Sequence, residues 1–203
     1  MRIIAGSAGG IPIAVPKTSL RPTTDRVREA VFSILGVDLL AGAAVLDLFA
    51  GSGSYGLESL SRGAARVVFV EADRAAAEVI RGNLQKARLT GGVVQQSPVE
   101  SWLRGRGREA AGVPFRLIFA DPPYAKQRGD IDWGARLLAD PVLPTLLEEG
   151  GWLVLEGFAR GESVAAEDGA WVCRDERRYG DAMVGFYQLK RNGDHAEDHS
   201  ADL

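Results

Sequence analysis

The sequence has a single cysteine, Cys173, so no disulfide can form within the chain. Cys173 lies in a stretch that alternates apolar and polar residues, where a small core residue is expected rather than a nucleophile. Histidine is nearly absent as well: only His195 and His199 occur, four apart in a polar tail with no third ligand beside them, so no metal site is expected. No apolar run approaches the roughly 20 residues of a membrane-spanning helix. The Met1 region has no apolar core of a signal peptide, and a cytoplasmic protein is expected. Excess positive charge is missing too. With a net charge of −3, the chain does not attract phosphate as a whole, so a nucleic-acid partner must meet a local basic patch. The 203 residues, 46% hydrophobic, suffice for one core and need not be divided.

What is present is organised around Val45–Gly63. An apolar run interrupted by Asp47 leads directly into Gly51-x-Gly53-x-x-Gly56, after which Leu57 and Leu60 recur at helical spacing. This reads as strand, tight glycine turn and helix, the glycines allowing positive φ and close approach of a ligand to the backbone. Glu71 ends the next apolar run, where an acidic side chain meets ribose hydroxyls. The same spacing fits a dinucleotide site. Asp47 bears on that choice: beside a pyrophosphate it is repelled, whereas beside the ammonium and sulfonium of S-adenosylmethionine its charge is favourable. Its sign tilts the reading away from NAD without settling it.

The first 28 residues carry Arg2, Lys17, Arg21, Arg26 and Arg28 against Asp25 alone, which is the local basic patch the global charge requires. Arg2–Ala5 and Ile11–Val15, separated by a glycine turn, suggest a small hairpin outside the main sheet. A helix follows, capped by Thr23 or Thr24, with Val27, Val31, Ile34 and Leu35 facing inward and Arg26 and Arg28 left on the other side. Val67–Glu71 and Gly92–Gln96 read as strands flanking a helix over Ala72–Leu89, and strands alternating with helices imply a parallel sheet covered on both faces. Ser97 stands after the third strand, either near a nucleotide base or as the cap of a short helix, Pro98–Leu103. Arg104–Arg108 reads as an exposed basic loop.

Phe115–Ala120 is a fourth strand, and Asp121-Pro122-Pro123-Tyr124 follows it directly. Two prolines stop the strand and hold the backbone extended, leaving carbonyls around Asp121 and Pro122 as fixed acceptors beside an aromatic face. Such an arrangement suits a planar amine. Farther on, Asp140–Leu147 reads as helical, Gly151–Glu156 as a fifth strand, and Trp171–Arg177 with Val184–Lys190 as a closing antiparallel pair. Residues 191–203 have no apolar period and are expected to form a disordered polar tail.

Asp47–Gly53, Glu71 and Asp121–Tyr124 resemble the class I S-adenosylmethionine-dependent amino-methyltransferases. More narrowly, Arg2–Gly6, Arg21–Phe32, Asp47–Gly53 with Gly56–Glu58, and Ser61–Ala64 resemble the bacterial 16S ribosomal RNA guanine-N2 methyltransferase family of the RsmD type, from Met1 to about Lys190. The resemblance implies an α/β fold with a seven-stranded, mostly parallel sheet, comprising an RNA-facing hairpin and helix (1–40), a cofactor-binding core (41–190) and the tail. It implies methylation of the exocyclic amine of one guanine, of the position-966 type, in 16S rRNA of the small subunit or its assembly intermediate, by a monomer that needs no metal. Asp47, Phe49, Ala50, Gly51, Gly53, Glu71, Ser97 and Thr23 would hold S-adenosylmethionine, and Asp121, Pro122, Pro123 and Tyr124 would hold the base. Arg2, Arg21, Arg26 and Arg28 would meet RNA. Two residues depart from the family pattern: Ser97 stands where many relatives of the wider class have Asp, and Tyr55 where Leu or Ile is usual. An adenine-N6 methyltransferase, a NAD-dependent oxidoreductase and a non-catalytic RNA-binding module are the competing readings. The first would carry a longer insert after Tyr124, and the second leaves Asp121–Tyr124 without a role.

Overall fold

The computed structural model describes residues 1–16, 24–105, 112, 114–123, 130–158 and 169–190. Arg21, Thr23, Tyr124, most of the Arg104–Arg108 loop and the polar tail lie outside them. Seven strands form one sheet: β1 (Ala44–Leu48), β2 (Arg66–Glu71), β3 (Gly92–Gln96), β4 (Phe115–Ala120), β5 (Leu147–Phe158), β6 (Trp171–Tyr179) and β7 (Ala182–Leu189). Their order is β3-β2-β1-β4-β5-β7-β6. β1 pairs in parallel with β2 and β4, β2 with β3, and β4 with β5, while β7 runs antiparallel to both β5 and β6. The chain therefore starts in the middle of the sheet, builds outward to β3, and returns to the other side of β1. That reversal, between β1 and β4, is the switch point at which open α/β sheets bind ligands.

Alternation along the strands divides the core in two. Val45, Val67, Phe69, Leu117, Phe119 and Val154 face one layer, and Leu46, Leu48, Val68, Val70, Ile118 and Leu155 the other. Helices α1 (Asp25–Leu35), α2 (Ser54–Ser61) and α3 (Arg74–Ala87) supply Val31, Phe32, Leu57, Leu60 and Ile80 to the first layer. Helices α4 (Val99–Arg104) and α5 (Trp133–Leu138) supply Trp102, Leu103 and Leu137 to the second. Cys173 is half-buried on β6 against this second layer.

The N-terminal hairpin is small, an antiparallel bridge between Arg2 and Pro12 with Ile3 donating to the Ile11 carbonyl at 3.0 Å. It is tethered to the helices by three buried polar side chains. Glu58 of α2 accepts from the Ile4 and Ala5 amides at 2.7 and 3.0 Å. Ser61 Oγ accepts from Ala8 at 2.9 Å, and Asn83 of α3 both accepts from and donates to Ala14 while donating to Ser52 in the glycine turn.

Four expectations are corrected. Arg28, assigned to the solvent side of α1, is 0% exposed, and the inward face of α1 is Val27, Arg28, Val31 and Phe32, with Ile34 43% exposed. The guanidinium can be buried because anions flank it: it bonds Asp25 at 3.0 Å and lies 3.7 Å from Glu58, which also pairs with Arg62 at 2.7 Å. Its Nη2 donates to the Arg2 carbonyl as well. A group without exposure presents nothing to phosphate, so Arg28 leaves the basic patch. Asp140–Leu147 is not one helix. α5 ends before it, the Asp140 carboxylate accepts from Val142 and Leu143, and Pro141 and Pro144, which lack amide donors, confine the chain to a 3-10 turn over Leu143–Leu146. β5 then begins at Leu147 rather than Gly151, its pairing with β4 slipping between Phe115 and Leu117 around Gly150, φ 73°. Finally, α4 starts one residue later than expected, with Pro98 at its cap position and Ser97 making no capping bond.

Because Glu58 balances two arginines and two amides without solvent, its removal leaves the buried Arg28 with only the partly exposed Asp25 as a counter-charge. Glu58→Ala should cost about 3–5 kcal/mol, read as a lower urea midpoint at unchanged slope. A loss under about 1 kcal/mol, the range of exposed pairs, would show that the network is not a structural anchor.

Candidate active site

Three acidic side chains converge at the carboxyl ends of β1, β2 and β4. Asp47 is 3% exposed within an apolar strand, and the Gly56 amide donates to its Oδ2 at 2.9 Å. Gly56 is in the first turn of α2, whose cap residue Gly53 offers no side chain, so Asp47 satisfies an amide that the helix itself cannot. Burial pushes the Asp47 carboxyl well above the usual 3.8; the Gly56 bond pulls it back, and the Asp121 and Glu71 carboxylates push it further up. Asp47 is thus a buried acid whose charged form is disfavoured by burial and by two neighbouring carboxylates.

The glycine turn has its own requirements. Gly51 and Gly53 have φ of 55° and 77°, where side chains are strained, and Gly51 has open space on its Cβ side, with only the Phe49 carbonyl within 4 Å. Gly56 is a packing position: a Cβ there would lie 2.2 Å from the Phe69 ring, so the third glycine lets α2 approach β2. Glu71 closes the turn, accepting from Gly51 at 2.7 Å and from Asp73 at 2.8 Å. Phe49 holds φ 57°, a conformation that costs a bulky residue about 1–3 kcal/mol, and its ring meets Trp133 of α5 edge-on at 5.0 Å. Ala50 is buried and donates to the Val70 carbonyl at 3.1 Å. Ser97 is half-buried beside Glu71; its amide donates to the Glu71 carbonyl at 2.9 Å and its hydroxyl to the Pro98 carbonyl at 3.1 Å.

Asp121 follows β4 with its side chain half-buried, Pro122 is buried and Pro123 exposed. Asp47 and Asp121 lie near enough for each charge to be felt by the other. Of the basic residues expected to face RNA, Arg2 and Arg26 are exposed.

Three residues that sequence reasoning did not assign to the site also lie here: Trp133 against Phe49, and the buried pair Tyr55 and Glu156, whose Oη and Oε2 are 3.2 Å apart. Glu156 carried a signal that was readable, since it is the one acid ending the fifth apolar run, as Asp121 follows the fourth. Tyr55 was readable only as an unusual residue within the glycine turn, and Trp133 carried no signal, because only the tertiary fold brings it to the turn.

These residues fit S-adenosylmethionine. A carboxylate held above its ordinary range by burial gains most from a cation placed beside it, the left-handed turn at Gly51 leaves room over the backbone, and Glu71 adjoins that turn as an acceptor for hydroxyls.

The family model described as "Conserved hypothetical protein 95" matches residues 1–188. The "Ribosomal RNA small subunit methyltransferase D" of Escherichia coli is 36% identical over 201 residues, covering 96% of this chain and 92% of its own. The Bacillus subtilis protein named "Putative rRNA methyltransferase YlbH" is 37% identical over 94% of this chain and all of its own. Among solved structures, "Putative methyltransferase yhhF from Escherichia coli" superposes with a TM-score of 0.76 at 34% identity, covering 94% of this chain and 98% of that one. Matched from its first residue nearly to its last described strand, the chain belongs to this family of RsmD-type ribosomal RNA methyltransferases.

Proposed function

We propose that the chain transfers a methyl group from S-adenosylmethionine to the exocyclic N2 amine of one guanine, of the position-966 type, in 16S rRNA of the small ribosomal subunit. The observation that carries this reading is the convergence of Asp47, Glu71 and Asp121 at the sheet's switch point, at the carboxyl ends of the three adjacent strands β2, β1 and β4 with β1 in the middle. Asp47, Gly51, Gly53 and Glu71 hold the cofactor, and the Asp121–Pro123 segment with Tyr124 holds the base. When bound, S-adenosylmethionine supplies an electrophilic methyl group. Carbonyl and carboxylate acceptors around Asp121 bond the amine protons more strongly as the nitrogen becomes tetrahedral, which draws its lone pair out of conjugation toward the methyl carbon. As the nitrogen–carbon bond forms, the methyl–sulfur bond breaks to leave the neutral thioether. One amine proton passes to the Asp121 carboxylate or to water, and no step calls for a metal. The target base is taken out of its stack to reach these groups.

The RNA surface is assigned to Arg2, Arg21 and Arg26, without Arg28. The enzyme acts as a monomer in the cytoplasm, where small subunits assemble. Among the described residues no helix is long and apolar enough to cross a membrane. An adenine-N6 enzyme would need more chain for target recognition than the nine residues 124–132 before α5. The direct test is mass mapping of the methylated nucleotide after incubation with unmodified small subunits; methyl on any nitrogen other than a guanine N2 overturns the assignment.

Asp121→Ala should lower the transfer rate by at least about 100-fold while leaving S-adenosylhomocysteine affinity within a few-fold. Undiminished turnover would remove Asp121 from the mechanism.

Asp47→Asn keeps the Gly56 bond and loses the charge, so it should weaken S-adenosylmethionine by about 1–3 kcal/mol in calorimetric titration. Stability of the cofactor-free protein should move the other way. A carboxyl raised in the folded state makes folding less favourable as pH climbs from 3.8 through its raised value, so the Asn variant should be the more stable of the two at neutral pH. That advantage should vanish below 3.8, and parallel stability curves for the two proteins would refute the assigned burial cost.

Replacing Arg2, Arg21 and Arg26 with Ala should flatten the logarithmic salt dependence of particle binding by about 0.7–0.9 for each phosphate no longer neutralised, with cofactor affinity unchanged. An unchanged slope would move the RNA footprint to the Arg104–Arg108 loop.

A further inference from the structure

A clamp for an exocyclic amine does not by itself choose a base. Adenine, cytosine and guanine all present one. They differ at the adjacent ring nitrogen, which carries a proton in guanine (N1–H) and a lone pair in adenine and cytosine. A fixed anionic acceptor beside the clamp would bond the first and repel the others.

Glu156 stands where such an acceptor is needed. In the parallel register of β4 and β5, Phe119 pairs with Val154 and Ala120 with Leu155, so the next row brings Asp121 and Glu156 side by side on neighbouring chains about 4.8 Å apart. Both side chains belong to the α1–α3 face, since Phe119 and Val154, two residues earlier, pack in that layer. Glu156 is 4% exposed, and its Oε2 accepts from Tyr55 Oη at 3.2 Å. Tyr55 is itself locked. Its ring stacks on Phe119 at 4.6 Å and 15°, and meets Phe32 at 6.2 Å. Burial, then the Glu156 and Asp121 charges, push the Tyr55 hydroxyl well above its usual 10.0, so it remains a donor across the working pH range.

A buried carboxylate next to a second carboxylate is costly, and each donor that reaches it offsets part of that cost. A base offering two adjacent donors offsets a further part. We propose that Glu156, oriented by Tyr55, selects guanine by accepting its N1–H while the Asp121–Pro122 segment takes its N2 amine. A carboxylate has about four lone-pair sites, so Glu156 can serve Tyr55 and the base together. Tyr55 is then a positioning residue, which gives a reason for an aromatic hydroxyl at a place in the turn where the family resemblance leads one to expect Leu or Ile. The proposal rests on the guanine-N2 reading above.

The test uses small subunits reconstituted with 16S rRNA carrying either guanine or 2-aminopurine at the target position. 2-Aminopurine keeps the amine but has a bare N1. The wild-type protein should prefer guanine by at least about 100-fold in kcat/KM, as sites built around a substrate donor reject analogues that lack it. Glu156→Gln, whose amide can donate to a bare N1, should narrow that preference at least tenfold, with S-adenosylhomocysteine affinity unchanged. Tyr55→Phe, which leaves the aromatic stack intact, should narrow it less, and serves as the second variant if Glu156→Gln does not fold. A preference that stays at its wild-type value in the variants that fold overturns the proposal, whatever happens to their absolute rates. A wild-type protein that methylates a different base or atom overturns the guanine reading and this proposal with it, and a mass map of the product distinguishes that result from the first.

Discussion

The fully buried carboxylate of Glu58 joins three separate parts of the chain: the N-terminal hairpin, α1 and α2. It accepts from the Ile4 and Ala5 amides, pairs with Arg62 within its own helix and faces Arg28 across from α1. Removing a charge of this kind from water costs several kcal/mol, which attraction offsets only when the geometry is good and the remaining lone pairs are filled. Two amides and the Arg62 guanidinium fill them here, and Arg28 adds its charge at 3.7 Å. The consequence is positional: the N-terminal hairpin and α1 are held against α2, and α2 carries the glycine turn at its start. The segment assigned to RNA and the turn assigned to the cofactor are therefore fixed relative to each other by Glu58, with Ser61 and Asn83 as further tethers.

A second constraint acts at the switch point. Asp47 closes the first turn of α2 through Gly56 and also forms part of an acidic group with Glu71 and Asp121. Like charges brought together in a partly dry site raise one another's pKa and store unfavourable energy that a cation relieves. The same group that repels a pyrophosphate is suited to a sulfonium and an amine. This preference comes from burial as much as from residue type, because in water at similar distances it would be worth only about 1 kcal/mol.

The wall on the β5 side of the site differs in kind. Phe32, Tyr55 and Phe119 form an aromatic group whose one hydroxyl points at Glu156. Rings packed this way have few alternative rotamers, so the hydroxyl and the carboxylate it bonds are held without help from solvent. Rigid acceptors around the amine are what electrostatic catalysis and base discrimination both require.

Local pattern was enough for much of this molecule. The apolar runs at β3 and β4 have the limits read from the sequence, and the glycine spacing located the turn, because a strand-turn-helix unit is specified by neighbours within a dozen residues. Thr24 caps α1 for the same reason, its hydroxyl accepting from Val27 three residues on. What local pattern misjudged is Arg28. A helix with Arg at that position turns it to water unless an anion waits inside, and that anion, Glu58, lies 30 residues away in the sequence, on another helix. The start of β5 was missed for a related reason: Glu148, Glu149 and Gly150 look like a loop, and only the pairing of β4 with Leu147 before them and Trp152 after them makes them a bulge within one strand. Asp47 and Asp121 were legible as acids at strand ends, but the sequence could not say that Asp47 is buried, that it closes a helix, or that Glu156 adjoins Asp121. Residue type and spacing determined the chemistry available to this chain; strand register and buried charge pairing, which join distant segments, decided which groups meet.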